Sequence, residues 1–279
     1  MAAIIEETAV KHLNSSTDLY QLSCRSLMAV VWFSCAFFGL YILANYAAAY
    51  FDNDLLRWNN VLPEIYVPGE PAATVGIGLH FAAGGLILIL GGIQLIDGLR
   101  NRFPKLHRWT GRVYVLASMV TAIGGLSFIV IRGTVGGTVM NIGFGLYGIL
   151  TLLAAIQTVR YAMAGQFHIH QAWAWRLFAL AIASWLYRME YGLWFLMADN
   201  AWHTDDFRGG FDYFMDFFFY IPNLIIVELM ISSRDQQSGV WLRNVATGVM
   251  ALATLTLLFA TWGFARLAWM PAISNWLAT

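Results

Sequence analysis

The chain has 279 residues, of which 59% are hydrophobic and only 11% charged. Soluble domains carry roughly a quarter charged residues, so this composition belongs in a membrane. Lys plus Arg equals Asp plus Glu at 16 each, which leaves no basic surface for nucleic acid.

In chain order, the first residues, MAAIIEETAVKHLNSSTDLY, place Glu6, Glu7 and Asp18 ahead of any apolar run. A secretory leader wants a basic start followed directly by an apolar stretch. Residues 1–25 are therefore expected to form a cytoplasmic N-terminal arm, short enough for one interfacial helix. A bilayer core takes about 20 apolar residues per helix. Seven runs meet that length, at about 26–48, 73–97, 110–131, 138–160, 172–197, 213–231 and 245–267. Cys24 and Cys35, eleven residues apart at the first of these, would sit ~16 Å apart on a helix. That is too far for a disulfide and makes them packing residues.

The expected fold class is all-α: a polytopic bundle of seven transmembrane helices over residues 26–267, with a short outer tail at 268–279. Helices are required because lipid offers the backbone no hydrogen-bond partner. A barrel would show short alternating segments, and the sequence has none. Lys and Arg set the orientation. With the N-terminus inside, the inner segments hold Lys11, Arg25, Arg100, Arg102, Lys105, Arg108, Arg112, Arg160, Arg176, Arg234 and Arg243, eleven of the sixteen basic residues. Asp52, Asp54, Glu64, Glu70, Asp199, Asp205, Asp206 and Asp212 then fall outside. The C-terminus is expected outside, as seven spans require.

Three spans carry polar residues along one face at three- and four-residue steps. The second has His80, Gly84, Ile87, Gly91, Gln94 and Gly98; the third has His107, Gly111, Tyr114, Ser118, Thr121 and Gly125; the fifth has His170, Ala174, Leu177, Ala181, Ser184, Arg188 and Tyr191. Counting 1.5 Å per residue brings them to two levels. An outer polar cluster is expected from His80, Arg188, Glu190 and Asp216, in which a carboxylate answers the always-charged guanidinium. An inner polar cluster is expected from Gln94, His107, Arg112, Tyr114, His170, Trp173 and Arg176, with Gln157 and Glu228 at a similar depth. Arg108 and Arg160 read as snorkelling anchors, His168 as a loop residue, and the tryptophans as interface belt and packing.

The segments HFAAGGLILILGGIQL, LHRWTGRVYVLA and HIHQAWAWRLFALAIASWLYR resemble a multi-pass bacterial membrane family known as domain of unknown function 2306. The shared pattern maps onto His80; His107, Arg108, Gly111 and Tyr114; His170, Trp173 and Arg176; and Arg188. Ala174 stands where the family usually has methionine, a packing change. The resemblance covers about residues 73–197. It implies an integral protein of the bacterial cytoplasmic membrane, sharpens the candidate sites, and names no reaction.

Three functions suit these residues. The first is membrane redox chemistry, with quinone or a single haem b at the inner seam between the second, third and fifth spans. His107 and His170 are the candidates for haem iron, because facing helices can offer imidazoles at matched depth. The second is proton-coupled transport or ligand binding at an intramembrane His/Arg/Asp cluster. The third is a structural subunit or assembly factor that packs against another membrane protein. HIH at 168–170 puts two imidazoles on opposite faces of a helix without a carboxylate at ligand spacing, so no zinc site is expected. No nucleophile triad, phosphate loop or dinucleotide fingerprint is present.

Overall fold

A computed structural model describes residues 2–60, 65–233 and 239–277 of the chain. Helix α1 runs Ala2–Ile42, loosens into a π-turn at Leu43–Ala47, and resumes as α2, Ala48–Phe51. The arm expected at 1–25 is thus continuous with the first span, because nothing in that stretch breaks a helix. A 3-10 turn, Leu55–Asn60, tucks back onto the helix ends. Its Trp58 Nε1 donates to the Tyr46 carbonyl at 3.1 Å.

Pro71 and Pro104 open α3, Pro71–Gln94, and α5, Pro104–Arg132. Proline suits a helix start, where its missing N–H has no partner to lose and its φ is already helical. A short α4, Asp97–Arg102, lies between them. The remaining helices are α6, Gly137–Met163; α7, Phe167–Ala198; α8, Gly210–Phe218; α9, Ile221–Ser233; and α10, Val240–Phe264. A second π-turn, Ala265–Trp269, joins α10 to α11, Met270–Leu277. The break between α8 and α9 falls just before Pro222, whose ring clashes with the preceding turn. Asn223 Nδ2 donates to the Phe219 carbonyl there, at 2.7 Å.

The helices pack as α3 on α5, α1 on α10, α1 on α3, and α5 on α6, with α7 against both α6 and α9. The α1–α10 pair is parallel. Ser34 Oγ meets Thr261 Oγ1 at 2.7 Å, and eleven residues earlier on both helices Ser23 meets Met250. Both cysteines are free.

Helix α7 is the shared wall of two apolar cores. Phe178, Ile182, Trp185, Leu186 and Met189 face one core, with α1 and α10. Leu177, Leu180, Ala181, Ala183, Tyr187 and Tyr191 face the other, with α5, α6 and α8. That position explains a difference from the expected seven spans. Six helical segments are long and apolar enough to cross a bilayer: Asp18–Phe51, Pro71–Gln94, Pro104–Arg132, Gly137–Met163, Gly210–Ser233 and Val240–Ser274. The run at 172–197 lies in α7, which is long enough at about 48 Å by helical rise but carries Arg176, Arg188, Glu190 and many aromatic residues. A helix enclosed by other helices meets side chains instead of lipid, so its sequence need not be uniformly apolar.

Candidate functional site

The α3–α5 interface forms because small residues let two backbones approach. A Cβ at Gly124 would stand 3.0 Å from the Gly76 carbonyl. This proximity lets His80 Nδ1 reach the Thr121 carbonyl at 2.9 Å. A carbonyl only accepts, so Nδ1 carries the proton of this bond and Nε2 is left to face other partners. His170 repeats the arrangement, with Nδ1 donating to the Thr158 carbonyl at 2.8 Å.

Arg188 projects from α7 toward α1. Its Nη1 donates to the Ser184 carbonyl at 2.7 Å, and its guanidinium lies 5.8 Å from the centre of the Phe38 ring. His80, Tyr41, Tyr46, Tyr147 and Tyr187 lie in its neighbourhood. Beside it lies a cavity of about 150 Å³ lined by Phe38, Tyr41, Ile42, Tyr46, Met189, Phe264, Ala268 and Trp269. Tyr46 belongs to the first π-turn, and Ala268 and Trp269 to the second. Such turns widen a helix locally and gather at functional sites.

The expected outer cluster is only partly assembled. His80 and Arg188 share a neighbourhood, but no carboxylate stands within ion-pair distance of Arg188 among the described residues. Glu190 is two residues on, and such pairs do not face each other on a helix. Its Oε2 is buried without a partner. Asp216 belongs to the opposite core. It is fully buried beside Gly143, and both carboxylate oxygens lack a hydrogen bond.

At the inner end, Gln94 meets the first turns of α5. With its amide in the orientation that satisfies both ends, its oxygen accepts from Thr110 Oγ1 at 2.6 Å and its nitrogen donates to the His107 carbonyl at 3.2 Å. His170 lies in the neighbourhood of His107. Arg176 forks onto Glu228 of α9, with Nε–Oε1 at 2.5 Å and Nη2–Oε2 at 2.9 Å, and lies 4.9 Å from the Trp173 ring centre. Two expected members stand elsewhere. Arg112 is exposed and lies over Trp109 at 5.6 Å, so it acts as an anchor. Tyr114 is buried in the middle of the bundle, where the ring sits against Gly91 and the hydroxyl has no partner. Gln157 Oε1 is buried without a partner too. Among the described residues, no group of three or more His, Cys, Asp or Glu side chains is placed to hold a metal ion.

The residues that sequence reading missed include the walls of the Arg188 cavity and a network centred on Asp212. This fully buried carboxylate accepts from Tyr191 Oη at 2.8 Å, Thr204 N at 3.1 Å and Gly209 N at 2.8 Å, and lies 2.6 Å from His203 Nδ1. Phe195, Phe207 and Phe211 pack around the ring of Tyr191. The available signal was Asp212 three residues after Gly209 at a helix start, where a carboxylate can cap free N–H groups.

A family model described as "Predicted membrane protein (DUF2306)" matches residues 77–231. The chain belongs to this family. No curated protein and no solved structure matches it. The DUF2306 segment takes in α3 from residue 77 onward and everything through most of α9, and so supplies His80, Arg188 and Asp212. It leaves out α1, α10 and both π-turns. The Arg188 cavity is therefore composite, with the cation from the DUF2306 segment and most of its wall from the flanking helices.

Proposed function

We propose that this integral membrane protein is a ligand-binding protein whose site centres on Arg188 and receives an anionic group inside the bilayer. In this reading α7 is the fifth of seven spans, the N-terminus is inside, and Arg188 lies in the outer half of a bacterial cytoplasmic membrane. One observation carries it: a permanently charged guanidinium borders a small aromatic cavity and has no carboxylate partner among the described residues. Charge within lipid is costly, and such residues normally pair or serve a function. The Ser184 carbonyl and the Phe38 ring satisfy part of the guanidinium and leave donors for a ligand. Tyr41 and Tyr46 bring two phenol groups to the same wall.

Native mass spectrometry of protein extracted in neutral detergent tests this. Wild-type protein should carry an anionic adduct that is lost in Arg188→Gln and weakened in Arg188→Lys. An adduct unchanged in a folded Arg188→Gln protein overturns the reading.

A second reading places quinone or haem b at the inner end. It draws on the proximity of His107 and His170 and on the Thr158 carbonyl, which fixes the His170 tautomer in the manner of a ligand's outer-shell partner. A reduced-minus-oxidised spectrum without a haem band removes the haem form, and a lipid extract of pure protein without quinone removes the other.

A further inference from the structure

The cavity at Arg188 has a neighbour. Between α1 and α10 runs an apolar groove of about 540 Å³, lined by Ala29, Val30, Phe33, Phe37, Leu258, Thr261, Trp262, Ala265 and Met270. Phe33, Leu258, Trp262 and Met270 are exposed, so the groove lies on the outside of the bundle, facing lipid. Its volume falls within the roughly 300–1,000 Å³ usual for small-molecule sites.

Residues of the second π-turn line both the groove and the cavity. Ala265 faces the groove, while Ala268 and Trp269 face the cation's cavity. The rings of Phe37, in the groove, and Trp269, in the cavity, touch edge to face at 5.4 Å. Because α1 and α10 are parallel, the order of residues gives a direction. Along α1 the groove takes Ala29–Phe37 and the cavity takes Phe38–Tyr46; along α10 and its continuation the groove runs Leu258–Met270 and the cavity Phe264–Trp269, so the groove starts earlier on both helices and overlaps the cavity on the second. Under the N-inside orientation, the groove extends from the cation toward the middle of the bilayer. An amphiphile of the outer leaflet has the same polarity, with the charged head outward and the chain toward the midplane.

The geometry points to a single-chain anionic amphiphile, a long-chain carboxylate, as the occupant: its head on Arg188 and its tail in the α1–α10 groove. This rests on the reading of Arg188 as an anion site and adds the chemistry of the ligand. Three observations select the occupant. The guanidinium is a fork that matches a carboxylate. The head cavity is small at about 150 Å³, which favours a compact head over a glycerophosphate. The groove is almost wholly apolar in its lining, with Thr261 the exception, and Thr261 is already engaged with Ser34. A head bound at Arg188 orients the chain, and the groove selects for a chain; neither alone distinguishes this ligand from bulk lipid. Since α1 and α10 lie outside the DUF2306 segment, chain selection belongs to the flanking helices while the cation belongs to the family core.

The test uses the full chain in phosphatidylcholine nanodiscs and a hexadecanoate carrying a mid-chain photoreactive diazirine. Peptide mapping after illumination should place label on residues 29–37 and 258–270. Unlabelled hexadecanoate should compete, and hexadecanol should not. In Arg188→Gln the label should fall at least about tenfold, the scale of losing a hydrogen-bonded contact to a charged group. In Ala29→Trp, an exposed position that fills the groove, native mass spectrometry should still show an Arg188-dependent adduct with acetate, while the groove label disappears.

Label spread evenly over lipid-facing helices overturns the inference but leaves the anion site standing if acetate still binds through Arg188. Competition by hexadecanol as strong as by hexadecanoate, with no acetate adduct, overturns both. Competition by dioleoyl phosphatidic acid without binding of hexadecanoate identifies a phospholipid head and overturns the carboxylate. Thermal unfolding of each variant in the same nanodiscs separates lost binding from lost folding.

Discussion

Asp212 Oδ1 and His203 Nδ1 lie 2.6 Å apart, and the carboxylate is fully buried. The pair ties the loop before α8 to the helix itself, and Tyr191 of α7 joins the same oxygen. Asp212→Ala would leave buried donors from Tyr191, Thr204 and Gly209 without an acceptor, each at a cost of about 1–3 kcal/mol. Tyr191→Phe removes one donor and keeps the ring, so its cost should stay near 1 kcal/mol. Thermal unfolding in detergent should therefore rank Asp212→Ala far below Tyr191→Phe. Equal melting temperatures would show that the network does not organise this end of the bundle.

The glycines of α3 and α5 should divide by position. Gly124 faces the Gly76 carbonyl, whereas nothing stands within 4 Å of a Cβ at Gly84. Gly124→Leu forces the helices apart, an overpacking cost of about 1–3 kcal/mol. It should also lengthen or break the bond from His80 to the Thr121 carbonyl. Gly84→Ala should be neutral or slightly stabilising, since alanine is the better helix former. Melting curves of the two variants check this; a loss in Gly84→Ala equal to that in Gly124→Leu would contradict the interface.

Arg176 and Glu228 form a forked pair between α7 and α9, but Glu228 is about half exposed, at 48%. Exposed pairs contribute only about 0–1 kcal/mol. Glu228→Gln should thus lower the melting temperature slightly. The exchanged pair Arg176→Glu with Glu228→Arg should recover most of what Arg176→Glu alone loses. A double-mutant cycle with no coupling would mean that the contact is incidental.

Gly143 lies against the backbone of Asp216, close enough that a side chain at 143 would overlap it. Gly143→Val should displace α8 from α6 and destabilise the fold by more than Gly145→Val, a position where a Cβ meets nothing within 4 Å. Protein yield and melting temperature measured side by side would decide it, and the same penalty at both positions would argue against this contact.

The sequence by itself determined the solvent, the helical class and the approximate helix positions, because a bilayer demands long apolar runs and punishes unpaired backbone groups. Prolines and glycines marked most helix ends for the same local reasons. It also singled out His80, Arg188 and His170, since polar groups stand out in an apolar text. Only the tertiary structure decided which faces meet. The 3.6-residue period places Arg188 and Glu190 apart, but it cannot tell which neighbour each side receives. The carboxylate expected beside Arg188, Asp216, lies in the other core, while Tyr41 of α1, Tyr46 of the first π-turn and Ala268 and Trp269 of the second line the cavity beside the cation. Asp212 looked like one more acidic loop residue until the chain folded back and brought Tyr191, His203 and two backbone amides around it. Such contacts join residues far apart in the chain through the rotation and spacing of whole helices, a property of the packed bundle that no single segment encodes.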